Sequence, residues 1–188
     1  PEQRKIAKKY KNLSFDDLKE LLKSKFHEHR LVSLLILVEQ FKGSNEKTKK
    51  QIVNFYLENT KYINNWDLVD LSADKILGEY LFDKDKTTLY NLANSNSLWE
   101  KRISIIATFG FIKRNQFRDT LKISQILLSD KHDLIHKAVG WMLREIGNRN
   151  LEAGEKFLKK YYREMPRTML RYSIEKFPEN KRNFYLGK

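Results

Sequence analysis

The sequence predicts an all-α fold built from stacked helix pairs, and three observations carry that prediction. Apolar residues recur with the 3.6-residue helical period along almost the whole chain, and strand-like alternation is absent. The links between helical stretches are short, which makes consecutive helices antiparallel neighbours. Four segments, HEHRLVSLLILVEQF, NNWDLVDLSADKILG, WEKRISIIATFGFIK and LIHKAVGWMLREIGN, also superpose with Arg30, Trp66, Arg102 and Lys137 in register, at steps of 36, 36 and 35 residues, and a further step of 34 reaches Arg171. Such a period holds two helices and two turns, as in HEAT-like repeats wound into a right-handed solenoid.

Each element has its own local signal. Ser14 is placed to cap LSFDDLKELLKSK, with Asp16 and Asp17 in the first turn where the helix dipole favours them. His27 to Lys42 follows, with Leu31, Leu34, Leu35 and Val38 at helical spacing and Gly43 expected as a left-handed cap. Asn45 to Glu58 comes next, then a continuous helix from Trp66 to about Phe82 with Asn64 and Asn65 as its N-terminal signal. Further helices are expected at Lys86 to Ala93, Leu98 to Lys113, Asn115 to Leu128, Asp133 to Ile146 closed by Gly147, and Leu151 to Arg163. Pro166 opens the last, PRTMLRYSIEKF, from the first-turn position that tolerates proline.

Composition narrows the function. The 188 residues suffice for one domain with a core, so residues 1–188 are read as a single repeat domain; the start at Pro1 without methionine suggests that N-terminal helices are missing. The 37 Lys and Arg against 24 Asp and Glu leave a net charge of +13, which points to a polyanionic partner, with nucleic acid ahead of a membrane surface. No apolar run approaches membrane-spanning length and no signal-peptide core is present, so a cytoplasmic location and no membrane association are expected. The absence of cysteine removes thiolate chemistry and cysteine-based metal sites. Without a glycine-rich phosphate loop no nucleotide cofactor is expected, nor any other cofactor, and the chain is expected to be a monomer.

The stretch YINNWDLVDLSAD places Trp66 and Asp70 at i and i+4, an indole and a carboxylate on one helix face. An aromatic face attracts cations, and a carboxylate beside it stabilises a positive centre or orients a water. The alternative is a core tryptophan beside an ordinary solvated charge. The register positions Arg30, Arg102, Lys137 and Arg171 suit a surface rather than a core, with Trp66, Asp70, Arg102 and Trp141 along the concave side; the alternative is cations snorkelling along helix edges. His132 and His136 lack a third ligand, so no metal site is expected. The lysine-rich 47–50 cluster reads as a solvated face. The aromatic group Phe157, Tyr161 and Tyr162 reads as packing before base stacking.

At NNWDLVD (64–70), LWEKRISI (98–105), KAVGWMLREIG (137–147) and MPRTMLRYSIEKF (165–177) the chain resembles the DNA alkylation repair glycosylases of the AlkD family, which are built of HEAT-like repeats. The resemblance implies hydrolysis of the N-glycosidic bond of purines alkylated at N3 or N7 in double-stranded DNA. It assigns catalytic roles to Asp70, Trp66 and Trp141 and a phosphate contact to Arg102, with Lys137, Arg30 and Arg171 as its cationic equivalents. Asp67 matches the first acid of the W-D-x-V-D segment; Asn65 stands where the family often has an aromatic. The rival expectation is a non-enzymatic basic HEAT-like module that binds nucleic acid or an acidic protein.

Overall fold

The computed structural model describes residues 2–187, and among them every regular element is helical. The chain packs as two compact units, Pro1–Lys84 and Asp85–Lys188.

The first unit comprises α1 (Glu2–Lys9), α2 (Phe15–Lys23), α3 (His27–Gly43), α4 (Glu46–Glu58), α5 (Trp66–Asp70) and α6 (Glu79–Leu81). Ser14 and Asp17 form a reciprocal capping box at α2: the Ser14 hydroxyl accepts from the Asp17 N–H at 3.2 Å and the Asp17 carboxylate accepts from the Ser14 N–H at 3.1 Å. The Ser14 hydroxyl, which donates to the Asp17 carboxylate at 2.6 Å, and then the Ser14 N–H hold that carboxyl below the usual carboxylate range. Helix α3 is the centre of the unit because residues 33 to 38 are buried on every side, with α1, α2, α4 and α5 against it. Its one polar residue in that run, Ser33, donates to the Leu18 carbonyl at 2.8 Å, so burial leaves no orphaned hydroxyl. Phe15 and Phe55 stack at 5.1 Å between centroids.

The helix expected from Trp66 to Phe82 is broken. It stops at Asp70, turns at Leu71 and Ser72, widens into a π-helical segment at Asp74–Gly78 and resumes as α6. The Ser72 hydroxyl donates back to the Leu68 carbonyl at 2.6 Å, a bond of the kind that bends helices, and lies 2.9 Å from the Tyr56 hydroxyl. Having spent its proton on Leu68, Ser72 accepts from Tyr56. Burial pushes the Tyr56 phenol far above its ordinary pKa, so it stays a donor.

The second unit comprises α7 (Thr87–Ala93), α8 (Leu98–Ala107), α9 (Phe109–Ile112), α10 (Arg118–Ile126), α11 (Asp133–Arg149), α12 (Leu151–Tyr161), α13 (Arg167–Ser173) and α14 (Glu179–Leu186). Here α11 is central. Lys101 reaches Asp130, Arg102 reaches Leu134 and Phe109 reaches Trp141, so α8 with α9 runs parallel to α11. Gly140 meets Met169 and Tyr172, Arg144 pairs with Glu175 and Gly147 meets Phe177, so α13 runs parallel to α11 too. Equivalent helices of the repeat thus lie side by side in the order that the Arg102, Lys137, Arg171 register predicts. Helices α10 and α12 are the return strokes of each pair.

Several boundaries differ from expectation. Gly43 and Gly147 lie inside their helices rather than in left-handed caps. Gly154 is the glycine needed for space where α11 and α12 meet, because a Cβ on it would stand 3.1 Å from the Gly147 Cα, whereas a Cβ on Gly147 would meet only the Phe177 ring at 3.5 Å. One left-handed cap is at Asn115, φ 59, where the Gln116 N–H reaches the Phe111 carbonyl and the Asn115 N–H the Ile112 carbonyl, a Schellman arrangement closing α9. Thr108 splits the helix expected at 98–113, its hydroxyl donating to the Ile105 carbonyl at 2.6 Å. Pro166 sits at the N-cap of α13, one residue earlier than expected. Helices α1 and α14 were not foreseen, because their sequences are mostly polar and carry too few apolar residues to show a period.

Candidate functional site

In the first unit the site is built on α5. Asn65, in extended conformation, accepts from the Trp66 N–H at 2.7 Å and starts the helix. Leu68 and Val69 are fully buried, which fixes the inner face; Trp66 and Asp70, one turn apart, lie on the other. Trp66 is 54% exposed, so it is not a core anchor. One exposed tryptophan is common in itself; the half-buried carboxylate a turn further on makes this one informative. Burial is the largest influence on the Tyr56 phenol, the Ser72 bond opposes it, and the charges of Asp74 and Asp70 add to the rise, which puts Asp70 within electrostatic reach of that buried hydroxyl.

Asp67, between Trp66 and the buried pair, is held by a residue 40 positions earlier. His27 Nε2 lies 2.7 Å from Asp67 Oδ2, tying the start of α3 to α5, and the other carboxylate oxygen accepts from the Leu68 N–H at 2.9 Å. Sequence reasoning matched Asp67 but missed its partner, for nothing local links positions 27 and 67. Replacing His27 by alanine is expected to cost roughly 1 kcal/mol, since the carboxylate is only partly buried. The thermal midpoint should fall by a few degrees, with the loss largely recovered by His27→Gln, which restores an N–H donor; a midpoint unchanged in the alanine variant would remove the pair from the account of α5.

Arg30, on α3, donates to the Ser24 carbonyl at 2.9 Å and the Lys25 carbonyl at 3.3 Å, so its guanidinium clamps the link between α2 and α3.

In the second unit Arg102 is buried, 5% exposed, and its Nη1 donates to the Leu134 carbonyl at 2.6 Å in the first turn of α11. Expected on the surface, this guanidinium is turned inward, where it pins α8 to α11. Lys137 is half-buried and pairs with Asp133 at 2.7 Å; that pairing raises the ammonium pKa, while the Arg102 charge opposes the rise, so the two cations are electrostatic neighbours. Arg171 is exposed on α13. Trp141 is half-buried on α11, its ring 5.8 Å from Phe109 and tilted by 47°. Lys113 lies 4.4 Å and Arg149 5.8 Å from the same Phe109 ring. Phe109 is thus a further aromatic of this surface, unread in the sequence because the segment 109–112 looks purely hydrophobic. The histidines are occupied structurally: His132 Nδ1 accepts from the Leu134 N–H at 3.1 Å, and His136 Nε2 donates to the Asp130 carbonyl at 2.6 Å. Among the described residues no group of three or more His, Asp or Glu converges as a metal-binding set, and no helix is long and apolar enough to cross a membrane.

The family model described as DNA alkylation repair enzyme matches residues 1–177. Among solved structures, one described as a predicted DNA alkylation repair enzyme from Enterococcus faecalis is similar with a TM-score of 0.69 and 14% sequence identity, over 93% of this chain and 82% of that one. At that identity the likeness concerns the fold, a helical repeat. No curated protein matches by sequence.

Proposed function

Because this chain belongs to the DNA alkylation repair enzyme family, we propose that it is a DNA glycosylase that releases cationic N3- and N7-alkylated purines from double-stranded DNA and leaves an abasic site. The observation that carries the reading is α5, where an indole exposed by 54% stands one turn from a carboxylate.

The chemistry suits a site with no strong acid to donate a proton. Alkylation at N3 or N7 places a positive charge on the purine, so when the C1′–N bond breaks the bonding pair leaves with the base and neutralises it. What remains at C1′ is an oxocarbenium-like cation. Asp70 stabilises that charge, orients a water for attack on C1′ and takes up the proton that the water releases. Trp66 offers its π face to the cationic base and sugar, and Trp141, in the second unit, presents an aromatic surface of its own to the DNA. Arg171 and Lys137 contact phosphates, and Arg102, inward of Lys137, adds its field to theirs and holds α11 in place. No cofactor enters this scheme, and one chain supplies every group named.

The test is release of free base from methylated duplex DNA by the purified protein. Trp66→Ala is expected to lower excision at least tenfold while leaving the thermal midpoint nearly unchanged, because an exposed side chain contributes little to stability. Wild-type inactivity on every cationic alkylpurine tested would overturn the proposal in favour of a nucleic-acid-binding module.

A further inference from the structure

The family match ends at residue 177, and α14 lies beyond it. This helix is nevertheless well seated. Tyr185 is 4% exposed and packs edge-on against Tyr162, Phe177 and Phe184, Lys181 pairs with Glu155 of α12, and Gly187 closes the helix in the left-handed conformation at φ 68. On so anchored a helix, the neighbouring side chain Phe184 is left 64% exposed. Its ring lies 6.1 Å from that of the half-buried Tyr162, inclined by 33°, so the two form a tilted aromatic shelf.

The shelf is framed by arginines. The Arg163 guanidinium lies 5.6 Å over the Tyr162 ring, with its Nε donating to the phenol at 3.1 Å. Arg167 donates to the Leu186 carbonyl at 3.2 Å at the end of α14. Both are exposed. Between Lys156 and Gly187 the chain carries nine Lys and Arg against three Glu. A guanidinium laid on an aromatic face keeps its outer N–H edge free to bind two oxygens of a phosphate at once. The exposed Phe184 ring, with Tyr162 beside it and cations around both, matches the combination by which proteins hold unpaired nucleotides, with a base on the ring and backbone on the charges. A duplex keeps its bases stacked on one another and offers this surface only phosphates.

We propose that Phe184 and Tyr162, with Arg163 and Arg167, form a platform for single-stranded nucleic acid, separate from the α5 chemistry. An oligothymidylate of about 16 nucleotides tests it, since that length fills a typical single-strand site and a strand without purines offers nothing to a purine glycosylase. Binding is followed by fluorescence anisotropy at fixed salt, with a duplex of equal length in parallel. Phe184→Ala is expected to weaken single-strand binding at least fivefold, the lower end of the loss of one stacked base, while duplex affinity and thermal midpoint hold and Phe184→Tyr restores binding. The double variant Arg163→Ala with Arg167→Ala, which keeps both rings, should lower the dependence of log K on log salt by one to two phosphate contacts, with the thermal midpoint measured alongside. Unchanged single-strand affinity in both variants overturns the platform. Equal losses on single strand and duplex, or Phe184-dependent competition by polyglutamate as effective as by oligothymidylate, overturn it as well, the last in favour of an acidic protein partner.

Discussion

Asp70→Asn is expected to slow single-turnover excision of a cationic alkylpurine by about 10²- to 10³-fold, the usual cost of losing one preorganised electrostatic partner. The substitution keeps size and hydrogen-bonding shape and removes only charge. Because the carboxylate acts on a cation that develops after binding, DNA affinity should hold or rise, since a negative group near phosphates is gone. Asp70 is half-buried at the end of α5, beside the Ser72 turn, so a structural role is a real competitor. The two are separated by measuring thermal midpoint and DNA affinity on the same samples. A lowered midpoint that parallels lost activity would make Asp70 a structural acid, and excision within about twofold of wild type would make it an ordinary surface charge.

The largest stability effect is expected at Gly140. A Cβ built there stands 2.5 Å from the Tyr172 Cβ and 2.6 Å from the Met169 carbonyl oxygen. Neither is the movable tip of a side chain, so Gly140→Ala must drive α11 and α13 apart. Alanine gains roughly 1 kcal/mol over glycine in helix propensity, but overlap of this depth outweighs it, and a net loss of about 1 to 3 kcal/mol is expected. For a chain of this size that is a fall of roughly 3 to 10 °C in thermal midpoint. Gly43→Ala is the internal control. It lies in α3 with nothing within 4 Å of its would-be Cβ, so propensity acts alone and the midpoint should hold or rise slightly. Equal responses at the two glycines would refute close helix approach as the reason for Gly140.

The sequence by itself determined the all-α class, most of the helices and their repeat. Periodicity is a property of each short segment, so Leu34, Leu35 and Val38 of α3 were readable from their helical spacing, whereas the burial of the whole run 33–38 was not. It also determined the pairing of Trp66 with Asp70, since i and i+4 share a face in any helix. Contacts between segments were decided by tertiary structure alone. The partner of Asp67 is 40 residues away at His27, and no local rule selects it. The break after Asp70 depends on Ser72 meeting both the Leu68 carbonyl and the Tyr56 hydroxyl, one of which belongs to another helix. Gly140 and Gly147 looked alike as glycines in a helical pattern, yet only Gly140 is required by a neighbouring helix, for a Cβ on Gly147 would meet nothing closer than the Phe177 ring at 3.5 Å. Arg102 shows the limit most directly: sequence placed a cation at a repeat position, but whether a guanidinium faces solvent or turns inward to the Leu134 carbonyl is settled by the distance between α8 and α11. A long, flexible charged side chain has both options at similar local energy, and only the packing around it chooses.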